Sequence, residues 1–314
     1  MDIRSARREG IRLLTDKGES AANLFIPSPT SSLDIDCILA FITGRGKSHL
    51  IAHSSDILSE DEITRFNAAV ALRRTGLPVA YITGKKEFYG RDFTVTPDVL
   101  IPKPDTELLV EHAVEYARSM FTDSNITQEL NIADICTGSG CIGISVLCEI
   151  EKYAEKCNFI LTDISSKALD VARENARKLV PSEFIKSVDF KQGDLCAPLP
   201  ENMQFHMILS NPPYIPAAEV TELLKDGRNE PRIALDGDTD TAVSSENKSS
   251  DGLAVIRRLI PQVLTHLAAG GIFFLETGEY NAEKAAELMK LSGFSSVKTY
   301  TDLSGQLRLT EGTK

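Results

Sequence analysis

The sequence predicts an α/β protein in which a small helical domain precedes a β-sheet of mostly parallel strands. Two patterns support this fold class. Up to about Gly76, apolar residues recur at helical spacing. Beyond about Asp105, short buried runs alternate with amphipathic segments, as in a parallel sheet that helices cover on both faces. We therefore expect a helical domain at 1–78, a β-hairpin linker at 79–104 and a sheet domain at 105–314.

The composition is that of a folded protein with an acidic surface. Of its 314 residues, 42% are hydrophobic and 25% are charged, and the formal net charge is −11. Because affinity for a phosphate backbone comes from clustered Lys and Arg, we expect no extended nucleic-acid binding. No apolar run is long enough to span a bilayer, so we expect a cytoplasmic protein without a membrane partner.

The cysteines indicate neither a metal site nor a disulfide framework. None of them forms a C-x-x-C pair, and no His-rich segment accompanies them. We expect reduced thiols at Cys37, Cys136, Cys141, Cys148, Cys157 and Cys196.

The region before residue 97 contains the helical domain and the hairpin. Three helices are predicted, and the third begins after Ser59 with acidic residues that favour the positive end of a helix dipole. It ends with two arginines before Gly76. Residues 79–96 are rich in Tyr, Phe, Val and Thr and are interrupted by glycines, which predicts the hairpin.

The sheet domain begins with a helix after the cap at Asp105 or Thr106. Five strands are expected at 130–135, 159–163, 188–190, 205–209 and 271–276. A helix at 254–268 should kink or restart at Pro261. Segments 296–300 and 306–310 predict an antiparallel pair at one edge, and the polar residues 236–251 predict a loop.

A glycine-rich turn follows the first strand and predicts a cofactor site. Gly138, Gly140 and Gly143 form a G-x-G-x-x-G pattern, and Asp163 ends the next strand, where its carboxylate can accept from two ribose hydroxyls. By itself the pattern also suits a dinucleotide loop or a plain tight turn. The expected cofactor-binding residues are Asp134, Cys136, Thr137, Gly138, Ser139, Gly140, Asp163, Asp194, Leu195 and Asn211.

Two of these residues follow the third strand. Asp194 can accept from the amino group of an adenine, and Leu195 can pack against the face of the base. A solvated loop carboxylate is an equally good interpretation of Asp194.

The fourth strand ends in a rigid turn, Asn211-Pro212-Pro213-Tyr214. Its two prolines lack backbone donors, so the carbonyls of Asn211 and Pro212 have no ladder to join. Together with the Asn211 amide they present acceptors for a planar NH2 group, with the ring of Tyr214 beside it. A turn that aligns a nitrogen lone pair near a nucleoside site favours S-adenosyl-L-methionine over NAD.

These motifs resemble those of the HemK-type (PrmC-like) release-factor glutamine N5-methyltransferases. The linker blocks 76–84, 87–90 and 100–107 carry the most family-specific part of the resemblance, and the glycine turn, the Asn-Pro-Pro-Tyr turn and the runs 230–237 and 251–253 extend it. The resemblance implies a Rossmann-like S-adenosylmethionine-dependent domain that methylates the glutamine of the Gly-Gly-Gln motif in class I peptide chain release factors. It also implies catalytic roles for Asn211, Pro212 and Tyr214, and substrate contacts from Asn211, Pro212, Pro213 and Tyr214.

The chain departs from the family pattern at two positions, where Cys136 replaces the usual glycine and Lys103 the usual arginine. A point charge is not equivalent to a bidentate guanidinium if it binds a carboxylate. The Asn-Pro-Pro-Tyr motif is shared with adenine-N6 DNA methyltransferases, so that activity, methylation of a glutamine in a ribosomal protein, and a non-catalytic partner of translation are alternatives.

Overall fold

The computed structural model describes residues 1–16, 26–122, 129–239 and 250–314, which form two compact units. The first consists of 1–85 with 222–229, and the second of 86–221 with 230–314. The sequence analysis places 222–229 in the sheet domain, whereas this segment groups with the N-terminal helices. Most of the loop predicted at 236–251 lies outside the described residues. Among the described helices, none is long and apolar enough to cross a membrane.

The first unit is helical and has its own apolar core. Its helices are α1 (Ile3–Thr15), α2 (Ser31–Thr43), α3 (Lys47–Ala52), α4 (Glu60–Arg74) and α5 (Val79–Thr83). Helix α4 begins with a capping box in which Ser59 accepts from the Glu62 N–H and the Glu62 side chain accepts from the Ser59 N–H. Gly10 of α1 is needed for close packing, because a Cβ there would lie 2.6 Å from Ile35 and 2.8 Å from Phe66.

A buried ion pair joins two of these helices. The Asp34 carboxylate accepts from Arg73 Nε at 2.7 Å and from Ser28 Oγ at 2.6 Å. Only 13% of the Arg73 side chain and 10% of the Asp34 side chain are exposed. Arg73 therefore neutralises a buried carboxylate, in addition to placing a positive charge at the C-terminal end of α4.

The first unit also holds a group of side chains with metal-ligating atoms. The ligand atoms of His49, His53 and Asp56 lie within 4.8 Å of one another, a grouping that the cysteine-based reasoning did not detect. The Arg45 guanidinium lies 3.3 Å from the Asp56 carboxylate and competes with a cation for it.

The hairpin is shorter than predicted. Strands β1 (Lys85–Phe88) and β2 (Arg91–Thr94) pair across Tyr89 and Gly90, whose φ angles of 50° and 72° suit a two-residue hairpin turn. The prediction of extended structure from residue 79 is wrong, because 79–83 form α5, which ends at Gly84 in the left-handed conformation.

The second unit contains a sheet whose strand order is β5-β4-β3-β6-β7-β9-β8. Its strands are β3 (Leu130–Ile135), β4 (Cys157–Asp163), β5 (Val188–Gln192), β6 (Phe205–Ser210), β7 (Leu267–Glu276), β8 (Ser296–Thr301) and β9 (Leu307–Thr313). The pairs from β5 to β7 are parallel, and β9 pairs antiparallel with β7 and β8, which confirms the antiparallel pair expected in the tail. The strand order reverses between β3 and β6, and ligands in such sheets bind at the carboxyl edge beside the reversal.

Helices cover both faces of this sheet. They are α6 (Glu107–Thr122), α7 (Cys141–Glu149), α8 (Ser166–Leu179), α10 (Ala254–His266) and α11 (Ala282–Ser292), whereas the short helix α9 (Ala217–Leu223) follows the Asn-Pro-Pro-Tyr turn. Alternate strand residues enter two cores: Ile132 and Met207 pack with α6 and α7, whereas Ala133 and Ile208 pack with α10 and α11. Helix α10 continues through Pro261, so the restart predicted there is absent.

Candidate active site

The carboxyl ends of four neighbouring strands bring the candidate residues together. The parallel register continues to the last residue of β3 and β6, which pair with Thr162 on β4 and Leu275 on β7. The next position in each strand carries Asp163, Cys136, Asn211 and Glu276, from β4 to β7. These four residues therefore form one row at the edge where the strand order reverses.

A cleft opens beside this row, and most of the predicted site residues line it. Those that do are Cys136, Thr137, Gly138, Ser139, Asp163, Asp194, Leu195, Asn211 and Pro213. Four predicted residues are not among the lining residues: Asp134, Gly140, Pro212 and Tyr214. Of these four, Asp134 and Gly140 pack against the residues of the glycine turn and its helix.

The glycine loop, residues 136–140, has a backbone that only a few residue types adopt easily. Cys136, Gly138 and Gly140 have φ angles of 60°, 55° and 80°. A Cβ on Gly138 would meet no atom within 4 Å, whereas one on Gly140 would lie 2.6 Å from Ile144. Gly138 thus leaves space in the cleft, and Gly140 permits close packing behind it. Cys136 occupies a left-handed conformation that favours glycine, which gives a physical reason for the glycine usual in the family.

Asp134 supports this loop from below. Its Oδ2 atom accepts from Thr137 Oγ1 at 2.6 Å and from the Gly143 N–H at 3.0 Å, while Oδ1 has no partner among the described residues. Burial raises the pKa of the Asp134 carboxyl to about 7, although both hydrogen bonds lower it. Direct contact between Asp134 and a cofactor stays a prediction.

Asp163 is oriented by two backbone donors. Its Oδ2 accepts from the Gly138 N–H and its Oδ1 from the Ser165 N–H, both at 2.9 Å. Burial raises the pKa of the carboxyl, and the backbone donors lower it. Asp163 lines the cleft, and a carboxylate offers about four acceptor sites, so the group can accept from two adjacent hydroxyls.

Asp194 has a charged partner that sequence reasoning missed. The Arg258 guanidinium of α10 donates to its carboxylate, and both residues line the cleft. The pair holds Asp194 in place and reduces its freedom to act as a solvated loop acid. Leu195 is buried with a φ of 52° and presents an apolar surface next to it.

The Asn-Pro-Pro-Tyr turn carries unpaired acceptors, and its residues Asn211 and Pro213 line the cleft. Asn211 Nδ2 donates to Thr106 Oγ1 at 3.2 Å. Among the described residues, none donates to Asn211 Oδ1 or to the carbonyl oxygens of Asn211 and Pro212. The turn can therefore accept hydrogen bonds from a ligand.

Close backbone packing holds Tyr214 at the end of this turn. A Cβ on Gly237 would lie 2.6 Å from the Tyr214 Cα, and one on Gly252 would lie 2.2 Å from its carbonyl oxygen. Asn281 Nδ2 donates to the same carbonyl at 3.0 Å. Burial and the nearby Glu276 carboxyl raise the pKa of the Tyr214 hydroxyl well above its ordinary value. Tyr214 therefore acts as a neutral, fixed ring.

The remaining walls of the cleft come from segments that the sequence analysis did not assign to the site. They are contributed by Asp98, Val99, Leu100, Pro102, Lys103, Thr106, Pro231, Ile233 and Ala234. Lys103 Nζ donates to Glu230 Oε1 at 2.6 Å, and only 3% of the Glu230 side chain is exposed. Lys103, which replaces the arginine usual in the family, therefore does contact a carboxylate. The family-specific linker block at 100–107 could have indicated that this segment belongs to the site.

Comparison with known proteins assigns the family. A model of the PrmC N-terminal domain matches residues 6–84, and a model of the methyltransferase small domain matches residues 106–228. The release factor glutamine methyltransferase of Burkholderia pseudomallei is 35% identical over 93% of this chain and 95% of its own length. The chain belongs to the release factor glutamine methyltransferase family. The Koribacter versatilis member is 34% identical over 91% of this chain and 92% of its own length.

A solved structure of similar sequence has the same kind of name. The release factor-specific protein-(glutamine-N5) methyltransferase of Alicyclobacillus acidocaldarius is 26% identical, with a TM-score of 0.37. The match covers 71% of this chain and 99% of that chain. Membership of the family confirms the Rossmann-like methyltransferase fold class, and S-adenosyl-L-methionine is the methyl donor.

Proposed function

We propose that this chain transfers a methyl group from S-adenosyl-L-methionine to the side-chain nitrogen of the glutamine in the Gly-Gly-Gln motif of class I peptide chain release factors. The observation that carries the proposal is the set of unpaired acceptors at Asn211 and Pro212, beside a cleft that the glycine loop and Asp163 line. The family membership of the chain supports the same substrate.

The donor fits the residues present. S-adenosyl-L-methionine carries its reactive methyl group on a positively charged sulfur, which leaves as a neutral thioether. Asp163 would accept from the two ribose hydroxyls, and Leu195 and Ile164 would contact the base. Gly138 leaves open space where a side chain would otherwise stand. Cys136, Thr137 and Ser139 would line the remainder of the site.

The acceptor nitrogen needs help from the protein because an amide lone pair is delocalised. Asn211 Oδ1 and the Pro212 carbonyl would accept the two amide hydrogens, while Tyr214 packs against the amide plane. This arrangement would direct the nitrogen at the methyl carbon of the donor, so that an N–C bond could form as the C–S bond breaks. The nitrogen would release one proton to water. Positioning of this kind contributes much of the rate when a nucleophile is weak.

Three further assignments rest on the proposal. The helical domain at 1–78 recognises the release factor, the hairpin region 79–104 joins it to the catalytic domain at 105–314, and the protein works in the cytoplasm. With a net charge of −11, no extended nucleic-acid binding is expected.

The test is to incubate the chain with labelled S-adenosyl-L-methionine and a class I release factor, ribosomal proteins or duplex DNA, and to map the methyl group by mass spectrometry. We expect a single methyl on the Gly-Gly-Gln glutamine, and none on a release factor in which this glutamine is changed to asparagine. Methylated adenine with an unmodified release factor would contradict the proposal. If only a glutamine of a ribosomal protein were methylated, the chain would still be a glutamine methyltransferase, but its substrate would be a ribosomal protein and not a release factor.

A further inference from the structure

Glu276 is a buried acid directly behind the Asn-Pro-Pro-Tyr turn. It ends β7 in the same row as Asn211, and it is 2% exposed. Its Oε2 atom has no hydrogen-bond partner among the described residues. Because a buried polar group without a partner destabilises a fold, this carboxyl calls for an explanation. Glu276 does not line the cleft, so it does not touch a bound substrate.

Thr106 connects the carboxyl to Asn211. The Thr106 hydroxyl is 1% exposed and accepts from Asn211 Nδ2 at 3.2 Å, and both side chains lie beside the Glu276 carboxyl and favour its ionised form. A hydroxyl that accepts one hydrogen bond still has its own hydrogen to donate. An ionised carboxylate can only accept, so the Thr106 hydroxyl can donate its hydrogen to Glu276 while the Asn211 NH2 group points at the hydroxyl oxygen.

The direction of these bonds decides what Asn211 presents to the cleft. With its NH2 group turned inward, Asn211 exposes Oδ1, the atom that can accept from a substrate amide. A protonated or amide side chain at position 276 could donate to Thr106 instead. Thr106 would then donate to Asn211, whose amide would turn and expose its NH2 group.

We propose that Glu276 is a positioning residue that fixes the amide of Asn211, through Thr106, with its oxygen toward the substrate nitrogen. The inference rests on the proposed function, because it explains how the acceptor for the glutamine amide is held. It differs from a general-base role, since Glu276 is separated from the cleft by Asn211.

Charged groups from several elements surround the carboxyl. Arg308 on β9 favours its ionised form, whereas Asp105 disfavours it. Tyr214 and Cys141 also lie within range of its charge, and both are neutral at physiological pH. Burial outweighs the other effects and raises the pKa of Glu276 to about 7. The carboxyl should therefore change its charge near neutral pH.

The test compares wild type, E276Q and the matched variant E311Q in single-turnover methylation at saturating donor and release factor. Glu311 is a second buried glutamate, on the neighbouring strand β9, and pairs with Lys298 and Tyr300. At pH 8 we expect E276Q to be slower by about tenfold with an unchanged dissociation constant for S-adenosyl-L-methionine, and E311Q to stay within about twofold of wild type. The wild-type rate should fall below about pH 7 toward that of E276Q, whose profile stays flat.

The decisive readout is the same substitution in the N211A background. If Glu276 acts through Asn211, E276Q has no further effect once Asn211 is removed. An equal loss in both backgrounds, or full activity of E276Q at pH 8, would overturn the inference. Failure of the wild-type chain to methylate a release factor would instead reject the proposed function.

Discussion

The two halves of the row at the carboxyl edge are built differently. On the cofactor side, the carboxylates of Asp134 and Asp163 are held by donors from the glycine loop, α7 and the residue before α8, all within 25 residues in sequence. On the turn side, Asn211 depends on Thr106, which is 105 residues away, and Glu276 is surrounded by Thr106 and Arg308. The cofactor side is thus a local structure, and the turn side is assembled from distant segments.

This difference matches two separate functions, cofactor binding and positioning of the substrate nitrogen. A local set of backbone donors fixes Asp163 whether or not the rest of the site is formed, which suits a site for a common cofactor. The orientation of Asn211 depends on several segments at once, which suits the step that selects one nitrogen. The substitutions below separate the two halves.

The largest effect is expected from N211A. Removal of the amide leaves the cofactor side intact but withdraws an acceptor for the substrate nitrogen, so the single-turnover rate should fall on the order of 100-fold. The dissociation constant for S-adenosyl-L-methionine, measured by calorimetry, should stay within about twofold. Asn158 lies at the opposite end of the strands, and N158A serves as the matched control. A rate for N211A within a factor of about two of wild type would assign the turn to a structural role.

D163A should act in the opposite way. Loss of a charged acceptor for two hydroxyls should weaken donor binding by about 1.5–3 kcal/mol, or roughly 10- to 150-fold in dissociation constant. The rate at saturating donor should change little. D170A provides the control, because Asp170 lies in α8, the helix that follows Asp163, and 75% of its side chain is exposed. Tighter binding of NADH than of S-adenosyl-L-methionine to the wild-type chain would refute the cofactor assignment.

A smaller effect should appear in the pH dependence of stability. Burial raises the pKa of Asp134 in the folded protein to about 7, above its ordinary value of 3.8. The stability that this group contributes is therefore complete below about pH 4 and is lost as the pH rises through about 7. Asparagine does not titrate, so the free energy of unfolding of D134N relative to wild type should rise by about 3 kcal/mol between pH 4.5 and 8. Denaturant unfolding followed by circular dichroism measures this difference, and a constant difference across the range would argue against a buried neutral Asp134.

The smallest effect is expected from K103R. Arginine can also donate to Glu230, so the melting temperature and the donor affinity should remain close to those of wild type. K103M, which removes the charge, should destabilise the protein by about 1–2 kcal/mol because Glu230 is buried. If K103R lowered the stability as much as K103M, the contact with Glu230 would require the lysine ammonium itself and not merely a positive charge.

The same contrast explains what the sequence could and could not predict. The glycine loop, Asp163 and the Asn-Pro-Pro-Tyr turn follow from short motifs at strand ends, and the strand boundaries follow from apolar runs. The pairing of Asp194 with Arg258 joins residues 64 positions apart, and no local pattern marks it. Glu276 was counted only as the last residue of a strand, because its neighbours come from three separate segments. The helical character of 79–83 was missed because β-branched and aromatic residues there resembled a strand.

The most direct test of this division is a double-mutant cycle between D163A and N211A. The two residues lie on strands separated by β3, about 10 Å apart at the usual strand spacing. The measured quantity is the second-order rate constant for S-adenosyl-L-methionine in single-turnover methylation of the release factor. If the two halves act independently, the loss in the double variant equals the product of the two single losses within about twofold. A double variant that is no slower than N211A alone would contradict the account, because Asp163 and Asn211 would then serve the same step.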